Sequence, residues 1–350
     1  RKEGFLLTSL VWVVFSIFGM LPFLFSGVAS NITDAFYETM AGFTTTGSTI
    51  FVDVEKLPKG ILLWRSLMQW IGGMGIILFT LAVIPMLNKS GGVQLFNAEV
   101  TGITHDKLRP RVSGTAIGLW GVYLGMTVVM AVFLMFGPMD WFDSLCHTMS
   151  CVSTGGFSTK NESIGFWDSR YIDSIVIVFM FLGGVNFSLI YNALSGKIRV
   201  LWENEVLRWY VLLCCIGTLI CFGDLFYRGE NSNVIDCLLD SLFHIVATIT
   251  TTGFSVENYS WGQFSMMVLM LLMISCACAG STSGGLKIDR MAVMLKNVKN
   301  EFIKALHPNQ VTSVRLNGKV VPYAHVQRVI AFLVIFTLIL GVSTTVLTLF

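Results

Sequence analysis

Seven stretches of this chain are too long and too apolar to serve as elements of a water-soluble fold. Phe5–Gly27 runs 23 residues without a charge, Ile61–Leu87 carries Arg65 alone, and Val112–Met139 and Ser174–Gly196 are uncharged. Leu207–Tyr227 is shorter, Asn258–Leu286 is uncharged but interrupted by Gly and Ser, and Val329–Phe350 is the last. A membrane-crossing helix needs about 20 apolar residues, so each is a candidate span. Charged residues make up only 13% of the chain, about half the roughly 25% of a soluble domain, and cannot cover a globule with polar surface. The expected fold class is therefore an all-α polytopic membrane protein. A net charge of +2 points away from nucleic acid as a partner. The eight cysteines form no CxxC pair and read as small core residues. Because residue 1 is Arg and the last span reaches residue 350, both ends read as cropped.

The polar segments alternate in charge. Residues 1–4, 88–111, 197–208 and 287–328 hold 17 Lys or Arg against 7 Asp or Glu, whereas residues 26–60, 138–173 and 224–260 hold 5 against 14. Basic loops stay in the cytoplasm, which puts the first group inside and the second outside.

The three outward segments repeat one pattern: Asp34-AFYETMAGFTTT-Gly47, Asp143-SLCHTMSCVSTG-Gly156 and Asp240-SLFHIVATITTT-Gly253. Each is Asp, twelve residues, Gly; a further 26, 28 and 27 residues lead to Gly73, Gly184 and Gly280 in the next span. The unit is span, short outward segment, span. It occurs three times, and 329–350 begins a fourth. The expected divisions are unit 1 at 1–87 (pore helix and filter 31–48), a cytoplasmic linker at 88–111, unit 2 at 112–196 (filter 153–157) and unit 3 at 207–306 (filter 250–254, broken second span 276–287).

The Asp at each start suits a helix N-terminus, and Asp140 ahead of Asp143 resembles a capping pair. The helix, about nine to ten residues long, is too short to cross a bilayer and should end near Thr44, Ser153 and Thr250. The Thr/Ser/Gly run that follows would leave carbonyls unpaired, which is tolerated at membrane depth only beside protein or a water-filled path. Carbonyls and the negative ends of helix dipoles, without an acidic side chain, suit a dehydrated monovalent cation. The dehydration cost is on the order of tens of kcal/mol, so only a ring of several such segments offsets it.

These residues resemble the Trk/Ktr/HKT superfamily of potassium transporters, whose subunits hold four span–pore helix–span repeats. Phe43-TTTGS-Thr49, Trp64-RSLMQWIGGMGI-Ile77, Ser153-TGGFS-Thr159, Thr250-TTGFS-Val256 and Cys278-AGSTSGGLK-Ile288 carry the resemblance. Arg1-KEGFL-Leu7 and His307-PNQVTSVRLNGKVVP-Tyr323 are closer to its bacterial TrkH-type membrane subunits than to the KtrB type. The resemblance implies that potassium binds the backbone of Thr44, Thr45, Thr46 and Gly47, of Ser153, Thr154, Gly155 and Gly156, and of Thr250, Thr251, Thr252 and Gly253. It ties the filter glycine to preference for potassium over sodium. It also implies an intramembrane gating loop at Gly280, Ser281, Thr282, Ser283, Gly284, Gly285 and Lys287, a cytosolic nucleotide-binding regulatory subunit (TrkA-like), and a homodimer in the bacterial cytoplasmic membrane.

Several features allow two readings. Gly280–Leu286 breaks a span, as the gating loop or as a simple kink. Gly285 is followed by Leu286, so the segment is not a phosphate-binding P-loop. Lys287 is either a charge of the gate or the first residue of the cytoplasmic interface. Arg65, with Gln69 one turn on, either reaches the outer interface or braces the back of a pore loop as filter support. His147 and His244 follow their Asp residues by four, but Glu38 fills that place in the first unit, so contacts within the pore helices fit better than a metal. Two β-rich runs around Asn317-Gly318 signal a hairpin within 307–323, as a docking surface or a solvated loop.

The function expected from these residues is channel-like potassium uptake, with the ion as substrate and no cofactor or catalytic residue in the chain. The rivals are a sodium-permeable or sodium-coupled member of the superfamily and, more remotely, a polytopic membrane enzyme, for which the spans supply no paired carboxylates.

Overall fold

The computed structural model describes residues 2–75, 112–229, 233–256, 259 and 261–349. The predicted linker 88–111, the second half of the second predicted span (76–87), Asn258 and Phe350 lie outside the described residues.

The first predicted span is two helices, α1 (Lys2–Gly19) and α2 (Leu21–Phe25). Pro22 lacks an N–H and cannot continue the α1 ladder, and the Trp64 indole takes the Gly19 carbonyl at 2.9 Å. The short helix α3 (Ile32–Phe43) and α4 (Lys59–Gly73) complete this group. They pack around Phe23, Phe43, Ile61 and Met68.

A second group follows: α5 (Val112–Met135), α6 (Trp141–Val152), α7 (Arg170–Gly183) and α8 (Phe187–Leu194). Its core joins Tyr123, Met130, Leu134, Ile172 and Met180. Asp140 caps α6, accepting the Asp143 N–H at 2.7 Å, as its sequence signature predicts. The span expected at 174–196 is bent by 104° between α7 and α8. The Gly184 carbonyl freed at the bend accepts from the Cys278 N–H (3.1 Å), so a tertiary contact replaces the helix ladder.

The short α9 (Arg199–Glu203) leads to α10 (Glu205–Arg228), α11 (Val234–Ile249), α12 (Gln263–Ser275) and α13 (Ile288–Leu306). Helix α11 is 16 residues long and begins six residues before Asp240, because Asn233 caps it by accepting the Ile235 N–H. Two short strands, β1 (Arg315–Leu316) and β2 (Lys319–Val320), form the hairpin, with Arg315 opposite Val320 and Leu316 opposite Lys319. Both turn residues, Asn317 and Gly318, have positive φ (50° and 74°), as a two-residue hairpin turn requires. Glu205 fastens it: its N–H donates to the Asn317 side chain (2.7 Å), and its carboxylate bonds Lys296, whose ammonium also reaches the Arg315 carbonyl (2.7 Å). Helix α14 (Tyr323–Leu347) starts six residues before the predicted 329, directly after Pro322, which suits a helix start.

Among the described residues α10, α14 and the Ile117–Met135 part of α5 are long and apolar enough to cross a membrane; α7 with α8 makes a fourth, bent span.

Candidate functional site

Helices α3, α6 and α11 stop at equivalent places, with Thr44, Ser153 and Thr250 as their C-terminal caps. The next residue turns left-handed in all three: Thr45 (φ 52°), Thr154 (54°) and Thr251 (59°). Two residues on, the glycines do the same: Gly47 (74°), Gly156 (81°) and Gly253 (74°). Threonine rarely adopts this conformation, so its recurrence at the same position in three loops marks a specified backbone.

The loop N–H groups turn back to their own helices. Those of Thr45 and Thr46 donate to the Gly42 and Ala41 carbonyls, those of Thr154 and Gly155 to Cys151 and Ser150, and those of Thr251 and Thr252 to Thr248 and Ala247. Among the described residues no hydrogen bond reaches the carbonyls of Thr45, Thr46, Thr154, Thr251 or Thr252. Each loop thus spends its donors on the helix and keeps oxygens for something else.

The loops stand beside one another in chain order. A Cβ on Gly47 would lie 2.1 Å from the Gly155 carbonyl oxygen, and one on Gly156 would lie 1.9 Å from that of Thr252. At these two positions only hydrogen fits. Nothing among the described residues lies within 4 Å of the corresponding point on Gly253.

Helix α4 forms the backing. The Gln69 amide donates to the Gly155 carbonyl (2.8 Å) and its oxygen accepts the Phe157 N–H (3.1 Å). Arg65 does not reach the interface: it is 1% exposed. Its guanidinium pairs with Glu38 of α3 (2.8 Å), donates to the Ser158 carbonyl (3.2 Å) and lies 4.1 Å from the Phe157 ring centroid. Glu38 also accepts from the Thr49 hydroxyl (2.9 Å) and the Ile50 N–H (3.0 Å). In the second loop His147 holds the same relation, bonding the Ser158 hydroxyl at 2.8 Å. The fourth residue after each Asp therefore ties the hydroxyl two residues past the left-handed glycine in both loops. Such ties account for Glu38 and His147 without a metal.

The segments beyond the loops are also tied. Asn161, beyond the second loop, donates to the Asp53 carboxylate (2.9 Å) and accepts the Val54 N–H (2.9 Å). The Lys56 ammonium and the Asn161 amide hold the Asp53 carboxyl down at about 2. Arg170 at the start of α7 bonds Asp240 and pairs with Asp236 (3.0 Å) on α11.

Beneath the loops, the chain leaves the helix at Ser275 and re-enters it at Ile288. The Gly280–Lys287 segment between is pinned from above and from the side. The Thr282 hydroxyl lies 3.1 Å from the Val152 carbonyl, the last of α6, and 3.2 Å from the Gly183 carbonyl. The Gly284 N–H donates to the Thr251 hydroxyl (2.9 Å). Asn186 closes the side: its amide donates to the Ala279 carbonyl (2.8 Å), and the Phe187 N–H donates to the Gly280 carbonyl (3.0 Å). The side chains of Ser281 and Ser283 lie 3.0 Å apart. Lys287 is buried, with its ammonium on Ser283.

Sequence reasoning missed Glu38 as Arg65's partner, Asn161, and Asn186. Asn186 carried a readable signal, since Asn two residues after Gly-Gly opens α8 by capping the Ser188 N–H. Glu38 and Asn161 carried none, because their partners lie far along the chain.

A family model described as "TrkH: Cation transport protein" matches residues 1–350. The Trk system potassium uptake protein TrkH of Escherichia coli K12 is 37% identical over 98% of this chain and 71% of its own length. TrkH of Vibrio parahaemolyticus is 35% identical over 97% of this chain and 71% of its own. The crystal structure of the potassium transporter TrkH from Vibrio parahaemolyticus superposes with a TM-score of 0.86 at 32% identity, covering 98% of this chain and 71% of that one. These relatives are transporters, not enzymes. The chain belongs to the TrkH family of cation transport proteins.

Proposed function

We propose that this chain takes potassium across the cytoplasmic membrane of a bacterium by channel-like conduction. The observation that supports this most directly is the common backbone of three adjacent loops, with donors turned into their own helices and the carbonyls of Thr45, Thr46, Thr154, Thr251 and Thr252 left unpaired. An ion entering from the outside exchanges its water for these oxygens, helped by the negative ends of α3, α6 and α11. The membrane potential drives it inward with about 2.3 kcal/mol per charge per 100 mV. In this reading Thr44–Gly47, Ser153–Gly156 and Thr250–Gly253 form the filter, Arg65 and Gln69 support it, and Gly280–Lys287 is the gate. Units 1–87, 112–196 and 207–306 are three repeats about the pore, and 329–350 opens a fourth. The filter loops face outward and the basic loops inward. Two such subunits pair, and a cytosolic nucleotide-binding subunit docks at the 307–323 hairpin; potassium is substrate, and no cofactor is invoked.

The test is Gly156→Ser in the complete transporter, reconstituted in proteoliposomes. The new side chain must displace the Thr252 carbonyl, 1.9 Å from where its Cβ would sit, so the potassium-to-sodium permeability ratio should fall. An unchanged ratio with normal rubidium uptake defeats the filter assignment. Sodium uptake equal to that of potassium in the unaltered protein favours the sodium-permeable reading.

A further inference from the structure

The segment below the filter contains a buried cation with neutral partners and, two residues away, a buried carboxylate oxygen with no partner. Lys287 is 5% exposed. Its ammonium donates to the carbonyl and the hydroxyl of Ser283, four residues back. None of the ion pairs among the described residues includes it. Asp289 is 4% exposed, and its Oδ1 accepts no hydrogen bond. The neighbouring cation Arg290 is turned elsewhere, 4.1 Å from the Phe332 ring centroid of α14 and 3.5 Å from the Leu286 carbonyl.

Chemistry makes this arrangement lopsided. An ammonium in a low-dielectric site gains more from a carboxylate than from a neutral serine, and a buried carboxylate oxygen without a donor is unfavourable. The backbone between the two partners is built to turn. Gly284, Gly285 and Leu286 separate Ser283 from Lys287, Gly285 is left-handed (φ 68°), and Lys287 itself has φ 72°, rare for a residue with a side chain. The remaining bonds that hold the segment up, from Thr282 to Val152 and Gly183 and from Gly284 to Thr251, join neutral groups.

We propose that Lys287 is a two-position latch: bonded to Ser283 it holds the loop under the filter, and bonded to Asp289 it holds the loop away. The transfer of one ammonium from a neutral to a charged acceptor offsets the loop hydrogen bonds that opening breaks. Lys287 is on this account a positioning residue that never meets the permeating ion. The inference rests on the pore reading above and adds the switch to it.

The experiment measures rubidium-86 uptake by the complete transporter in proteoliposomes, with and without its cytosolic regulatory subunit, for the unaltered protein, Lys287→Met, Lys287→Arg and Asp289→Asn. Lys287→Met should raise uptake without the subunit roughly tenfold, the effect of one hydrogen bond to a charged group, and Lys287→Arg should restore the low level. Asp289→Asn should lower the uptake reached with the subunit by a similar factor. If Lys287→Met is not monodisperse in detergent, the Asp289→Asn arm decides alone. Unaltered protein that conducts while Lys287→Met matches it without the subunit, or while Asp289→Asn matches it with the subunit, overturns the latch and leaves the pore standing. Unaltered protein that takes up no rubidium even with the subunit overturns the pore reading, and the latch with it.

Discussion

Replacing Gln69 with Leu should loosen ion preference while leaving the protein folded. Gln69 is fully buried and spends both ends of its amide on the second loop, as donor to Gly155 and as acceptor from Phe157. Leucine keeps most of the volume and removes both bonds. Two buried backbone groups lose their partners at about 1–3 kcal/mol each, so the present loop geometry becomes less favourable by roughly 2–6 kcal/mol. A tenfold ratio corresponds to about 1.4 kcal/mol. The strained geometry is then no longer the preferred one, and the Gly155 peptide turns to find water or the ion. The Gly155 carbonyl is also the group beside Gly47, so the first and second loops shift together. The assay is the reversal potential under potassium–sodium bi-ionic conditions in planar bilayers, with rubidium uptake confirming conduction. The potassium preference should drop at least tenfold, and Gln69→Glu, which keeps the acceptor for Phe157 but not the donor, should fall between. A Gln69→Leu protein that conducts with unaltered preference refutes the idea that this amide sets the loop.

Arg65→Met should lower stability by about 3–5 kcal/mol, because it leaves Glu38 charged and buried without its cation, and Arg65→Met with Glu38→Met should recover part of that; thermal unfolding in detergent of the three proteins measures it. The Asp53 carboxyl, held at about 2 against an ordinary 3.8, has a folded-state pKa below its unfolded one. Its contribution to stability is therefore full above about pH 4 and is lost as pH falls through 2. The melting-temperature gap between the unaltered protein and Asp53→Asn should close over that window and be flat from pH 5 to 8.

The parts of this molecule that were legible from residues alone are those decided within about fifteen residues. The helix stops at Thr44, Ser153 and Thr250 follow from runs poor in helix formers, and the stop at Ser275 with restart at Ile288 follows from a Gly/Ser cluster. The Asn317-Gly318 turn is equally local. What was not legible depends on partners far away in the chain. The bend between α7 and α8 lies in an uncharged stretch that reads as one span; Cys278 and Ala279, more than ninety residues on, take part in its hydrogen bonds. The choice between two roles for Arg65 turned on Glu38, 27 residues earlier, which no periodicity points to. Helix α11 starts six residues before Asp240, the boundary that analogy with Asp34 and Asp143 suggests, because the capping residue is Asn233.

The oxygens left over in the three loops belong to the main chain. Every amino acid supplies the same group at those positions, so no point mutation deletes one; a mutation only moves it. Damage to this region by a point mutation is thus mechanical, a displacement of the oxygen, and a second change elsewhere that pushes the peptide back is able to repair it.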